Sequence, residues 1–97
     1  MEEKSFKVIF SPPAQHEIER MDIDDAIQIA QDIKTYLETS PFPFGKTRIK
    51  KLTGFTPPLY RLRSGDFRAY YRISSRDVVI LAITHKKDSE NFLKKMR

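Results

Sequence analysis

Hydrophobic spacing along this 97-residue chain follows two periods, helical in the first half and alternating in the second. A short opening run, Ser5-Phe6-Lys7-Val8-Ile9-Phe10, alternates loosely and is rich in aromatic and β-branched residues, which predicts a strand. Ser11-Pro12-Pro13 ends it, since Ser11 can cap a helix and proline is favoured in a first helical turn. A helix is expected over about Pro13 to Met21, with Ala14, Ile18 and Met21 on one face. Asp22 or Asp24 then caps a longer helix through about Thr39. Its apolar positions Ile23, Ala26, Ile27, Ala30, Ile33, Tyr36 and Leu37 keep helical spacing. So short a connection makes the two a helical hairpin. Ser40-Pro41-Phe42-Pro43-Phe44-Gly45 stops the second helix, because proline cannot continue it.

Beyond that break, Ile49 to Leu52 is a short element of undecided type, and Gly54-Phe55-Thr56-Pro57-Pro58 reads as a loop. Leu59-Tyr60-Arg61-Leu62-Arg63 alternates cleanly, Ser64-Gly65-Asp66 is a turn, and Phe67 to Ile73 is the partner strand of a hairpin. A second turn, Ser74 to Asp77, leads into Val78 to Thr84, a strand apolar enough to be buried on both faces. The tail from Asp88 to Met96 is helix-like, with Phe92, Leu93 and Met96 placed to dock on the sheet. The predicted order is β-α-α-β-β-β-α, one α+β domain over residues 1–97. Its helical hairpin packs on one face of a small, twisted, mainly antiparallel sheet and leaves the other face available. The opening strand is followed by a crossover and is expected to pair with the buried last strand.

Composition removes several classes of chemistry. With no cysteine there is no disulfide framework and no thiolate metal site, and two histidines are too few for most zinc sites. The opening MEEKSFKVIF lacks the apolar stretch of a secretory signal. The longest apolar run, Val78 to Ile83, is about a third of a membrane span. A cytoplasmic protein without membrane association is therefore expected. No Gly-rich phosphate loop, metal-spaced carboxylate cluster or Ser-His-Asp set is present, so neither cofactor nor metal is expected.

Charge adds the most once it is divided. The net +5 combines residues 1–45, with four basic and nine acidic side chains, and residues 46–97, with fourteen and four. Such asymmetry points to a polyanion partner. Arg61 and Arg63 emerge on one face of their strand, and Arg68, Tyr70 and Arg72 share one face of the next. A tight turn sets these rows side by side, with four guanidinium groups within about 10 Å of one another. Lys46, Arg48, Lys50 and Lys51 precede the hairpin, and His85, Lys86 and Lys87 follow the last strand. The plainer alternative pairs these arginines with acids in solvent. Those acids, however, are concentrated in the helical hairpin on the other face, so the cluster reads as a phosphate-binding surface. His85 could act as an acid or base in phosphodiester cleavage, although a lone histidine at a strand end more often makes a local hydrogen bond. His16, on the outer side of the first helix, reads as surface.

The segment Leu59-Tyr60-Arg61-Leu62-Arg63-Ser64-Gly65-Asp66-Phe67-Arg68-Ala69-Tyr70-Tyr71-Arg72-Ile73 resembles the core signature of the RelE/ParE superfamily of toxin–antitoxin toxins. Lys51-Leu52-Thr53-Gly54 before it and Val79 to Lys87 after it are also similar, and the element order agrees across the chain. The resemblance implies one of two activities. RelE-like members are metal-independent ribonucleases that cut translated mRNA in the ribosomal A site, the 2′-hydroxyl attacking the neighbouring phosphate. ParE-like members inhibit DNA gyrase without nuclease activity, and a member that has lost activity would only bind its antitoxin. All imply a cognate antitoxin as partner, with the acidic helical hairpin and the apolar grooves beside Phe42 and Phe44 as candidate contacts. Carried over by position, Arg61 and Arg63 orient RNA, Arg68 stabilises the transition state, and Lys86 acts near the leaving group or scissile phosphate. Lys46, Arg48, Lys50, Lys51, Tyr70, Arg72 and Lys87 fill out the RNA-binding surface. Phe92 stands where many ribonuclease members place a tyrosine or histidine for proton transfer. His85 or Tyr70 would then take over that role, or electrostatic stabilisation would carry the reaction.

Overall fold

The computed structural model describes residues 6–45 and 48–97. The first strand, β1 (Lys7–Phe10), runs into α1 (Pro12–Arg20) through Ser11, whose Oγ accepts from the Ala14 amide at 3.4 Å. Pro12 and Pro13 occupy the first turn, so α1 begins one residue earlier than the sequence suggests. After Met21 and Asp22, α2 covers Ile23–Leu37 and stops two residues short of Thr39. Four strands follow: β2 (Ile49–Leu52), β3 (Leu59–Ser64), β4 (Phe67–Ser74) and β5 (Asp77–His85). A 3₁₀ turn over Lys86–Asp88 then leads into α3 (Ser89–Met96). The undecided segment at 49–52 is thus a strand, and it makes the sheet five-stranded.

The sheet order is β1-β5-β4-β3-β2, with β1 parallel to β5 and every other pair antiparallel. The expected pairing of the first strand with the last is present. Alternation sends Tyr60, Leu62, Ala69 and Tyr71 to one face, where Ala14 of α1 and Ile29, Ile33 and Leu37 of α2 complete the core. The α2 stripe differs from the one expected. Ile29 is in the core, whereas Ile23 and Ile27 are 74% and 50% exposed. Apolar residues occupy more than one face of this helix, so spacing alone does not say which face packs.

A bulge resolves the pattern of β5. Tyr70 stands opposite Ala82 and Tyr71 opposite Ile80, which leaves Leu81 as the extra residue. Val78, Ile80 and Ile83 therefore all reach the core, although Ile80 and Ile83 are three apart. Ser11 holds the bulge in place: its amide donates to the Ile80 carbonyl at 3.0 Å and its Oγ donates to the Leu81 carbonyl at 3.0 Å.

The second face of the sheet is less open than the sequence suggests. Phe92 of α3 lies against Tyr70, ring centroids 4.6 Å apart, and both Tyr70 and Leu59 are fully buried. The apolar side chains on α3 had to be covered, and this face offered Tyr70. Among the described residues no helix is long and apolar enough to cross a membrane.

Candidate nucleic-acid interface

The β3–β4 hairpin sets the basic side chains. Arg63 pairs directly with Arg68, and Arg61 with Tyr70, so the two rows share one face with neighbouring Cα atoms about 5 Å apart. Gly65 takes a φ of 57° in the turn, a left-handed conformation that glycine adopts without steric cost. Arg68 folds back over this turn, its Nη1 donating to the carbonyls of Gly65 at 3.0 Å and Phe67 at 2.9 Å. Lys50 on β2 stands opposite Arg61 and adds another cation to that side.

Electrostatics register the crowding. The Arg68 guanidinium is held below its ordinary pKa by burial first and by the charges of Arg61 and Arg63 next, with Tyr70 and Asp66 acting the other way. An arginine stays protonated at any working pH. The direction therefore means that the cation is less comfortable there than in water, and that a bound anion would relieve it. Among the described residues no ion pair joins Arg61, Arg63, Arg68 or Arg72 to a carboxylate. Among the described residues, Arg61 Nε, Arg72 Nε and the Tyr70 hydroxyl are buried with no hydrogen-bond partner.

The remaining candidates divide. Lys86 joins the hairpin turn, its amide donating to the Asp66 carbonyl at 2.7 Å and its Nζ lying 3.3 Å from Asp66 Oδ1. Lys87 is exposed in the 3₁₀ turn. His85 does not join the arginines. The register places it opposite Phe67, on the face away from Arg68, where the two rings meet edge to face at 5.5 Å. Its Nδ1 accepts from the Lys87 amide at 3.1 Å, a local strand-end hydrogen bond. Tyr70 lies among the arginines but beneath Phe92, so its ring is covered and not presented to solvent. Arg48 lies to one side, its guanidinium carbon 5.5 Å from the Tyr36 ring centroid. Lys51 is exposed on β2 opposite Tyr60, and Lys46 falls outside the described residues.

A groove lies beside this surface at Phe42 and Phe44, where the sequence suggests apolar grooves, and its basic wall is what the sequence did not indicate. It has a volume of about 560 Å³ and lies between the end of α2, the loop that follows and β2, with Tyr36, Phe42, Phe44, Arg48, Ile49 and Arg63 in its walls. The aromatic residues were visible as Pro41-Phe42-Pro43-Phe44, but their meeting with Arg63 depends on the sheet pairing.

A five-stranded mixed sheet with a helical hairpin on one face and clustered arginines on the other defines a small α+β protein of the RelE type. The model of the family described as "ParE toxin of type II toxin-antitoxin system, parDE" matches residues 8–90, and the chain belongs to that family. It is a toxin of the RelE/ParE superfamily. Solved structures agree in fold. The toxin–antitoxin complex RelBE2 of Mycobacterium tuberculosis matches with a TM-score of 0.72 at 22% identity, covering 84% of this chain and 98% of that one. The archaeal RelE–RelB complex of Pyrococcus horikoshii gives 0.70 at 22% identity over 84% of this chain and 96% of that one. A mutant of E. coli toxin RelE in the free state gives 0.61 at 17% identity over 98% and 100%. No curated protein matches the chain.

Proposed function

We propose that this toxin is a ribosome-dependent, metal-independent endoribonuclease that cleaves translated mRNA and is neutralised by a cognate antitoxin in the cytoplasm. The observation that carries the reading is the facing of Arg63 and Arg68 across the hairpin, with Arg61 alongside and, among the described residues, no carboxylate ion-paired to any of the three. In such a site the 2′-hydroxyl loses its proton to solvent as its oxygen attacks the adjacent phosphorus, the bond to the 5′ oxygen breaks and that oxygen takes up a proton, and a 2′,3′-cyclic phosphate remains. The charge that builds on the non-bridging oxygens is met by guanidinium groups already in place, two of which crowd Arg68. Lys86, held against the same turn, would face the leaving group. An antitoxin partner is supported by the RelE–RelB complexes that share the fold, and Ile23 and Ile27 on α2 offer it exposed apolar surface.

Arg68→Ala is expected to lower cleavage about 10²- to 10³-fold, as removal of one oxyanion-stabilising donor does elsewhere. The test is inducible expression in bacteria with 5′-end mapping of one translated mRNA. Cuts inside codons that vanish when initiation is blocked support the reading. If Arg61→Ala, Arg63→Ala and Arg68→Ala each remain fully toxic, this face is not the site.

A second reading has its own support. The matching family model is that of ParE, and Phe92, which cannot move a proton, occupies the surface over Tyr70. A gyrase inhibitor would give a DNA damage response and filamentation with intact mRNA. A chain that arrests nothing would be a toxin fold that only binds antitoxin.

A further inference from the structure

We propose that the groove between α2 and β2 is a nucleobase-binding subsite, in which one unpaired base stacks on Phe44 while Arg63 and Arg48 hold its flanking phosphates. The inference rests on the RNA-binding reading above and extends it to a named pocket. Its volume, about 560 Å³, falls in the range of small-molecule sites. Its walls combine what single-stranded nucleic acid needs, aromatic faces for bases and cations for the backbone.

Each wall is placed by a separate contact. Phe42 is pinned edge-on between Phe6 and Tyr60, with centroids 5.9 and 6.0 Å away, so it forms a fixed floor. Phe44 is 83% exposed and presents its ring to solvent, which burial in a core would have prevented. Arg48 lies over the Tyr36 ring, and its carbonyl accepts from the Arg63 amide at 2.9 Å, so β2 and β3 keep the two arginines together. Arg63 also faces Arg68 across the hairpin. One arginine thus belongs to both the groove wall and the arginine row, so a strand bound at the cluster would continue into the groove. An apolar protein segment would gain from the aromatic rings but would leave two cations without partners. The charge favours a nucleotide.

The test compares two fluorescein-labelled probes on the purified full chain by anisotropy: hexauridylate, and an abasic ribose–phosphate oligomer of the same length. Phe44→Ala is expected to weaken hexauridylate binding about 5- to 150-fold, the effect of losing one base–aromatic stack, and to leave the abasic oligomer unchanged. Phe44→Trp should restore binding, with indole fluorescence quenched by hexauridylate alone. Because Phe44 is exposed, unchanged melting of both variants confirms that the fold is intact. Equal binding of hexauridylate by wild type and Phe44→Ala overturns the subsite, as does a wild type that binds neither probe. So does a Phe44→Ala variant that keeps RNA affinity but loses a co-expressed antitoxin, which would make the groove a protein-docking surface. Failure of the subsite and failure of the ribonuclease reading are separable. Arginine-dependent binding that ignores Phe44 removes only the subsite, whereas Phe44-dependent binding without mRNA cuts removes only the nuclease.

Discussion

Tyr71 joins the two halves of the chain. Its hydroxyl donates to the Pro41 carbonyl at 2.7 Å, fastening the loop after α2 to the centre of the sheet, and its ring stacks on Tyr60 with centroids 5.5 Å apart. Tyr71→Phe leaves that carbonyl without its donor and should cost about 1–3 kcal/mol in urea denaturation. Burial, reinforced by Tyr60, pushes the Tyr71 phenol well above its ordinary pKa of 10.0. The folded protein therefore keeps a proton that the unfolded chain gives up near pH 10. Stability owes nothing to this ionisation below that pH, and falls by up to about 1.4 kcal/mol per pH unit above it. Comparing the two proteins between pH 8 and 11 should show a shallower decline for Tyr71→Phe. Equal slopes would mean that the phenol ionises in place.

At the scale of elements, the bulge of β5 and the start of α1 depend on one side chain. Ser11→Ala removes both the helix cap and the donor to the Leu81 carbonyl, and a loss of about 1–2 kcal/mol is expected from thermal or chemical melts. A loss under about 0.3 kcal/mol would show that water replaces the hydroxyl at the bulge. The sequence made most elements legible because local signals agreed: Ser11 and the prolines for α1, the 41–45 break for the end of α2, and clean alternation for the β3–β4 hairpin. What it hid required knowledge of neighbours. No periodicity announces Leu81 as the extra residue, because a bulge is defined by the partner strand. The choice of Ile29 over Ile23 and Ile27 likewise depends on where the sheet lies beneath α2. The face on which His85 emerges was also out of reach, since the bulge reverses the alternation before it.

Over the whole molecule, the acidic and basic halves of the chain end up on different layers of the fold, helices on one side of the sheet and the arginine rows on the other. The arginine face was legible from period two alone, and its facing pair Arg63 and Arg68 follows from a tight turn at Gly65. Docking of the tail helix and a groove at Phe42 and Phe44 were also legible, but not that α3 covers the arginine face or that Arg48 and Arg63 line the groove, because both depend on contacts between segments distant in sequence. If the face binds single-stranded RNA through its four arginines, log K should fall with log salt at a slope of about −3. Arg61→Ala and Arg63→Ala should each flatten that slope by about 0.7 in a salt titration. A slope unmoved by either would place the phosphates elsewhere.

The parallel pairing of β1 with β5 has a consequence in time. Among the described residues β1 has its sheet neighbour in β5, which is made some seventy residues later and also carries the outer flank of β4. A growing chain holding α1, α2 and the hairpin still lacks the strand that joins them, so the native sheet closes only when residues 77–85 have been synthesised and released. A toxin that attacks translating ribosomes, as proposed above, would on this topology acquire its working shape only once residues 77–85 have left the ribosome that makes them.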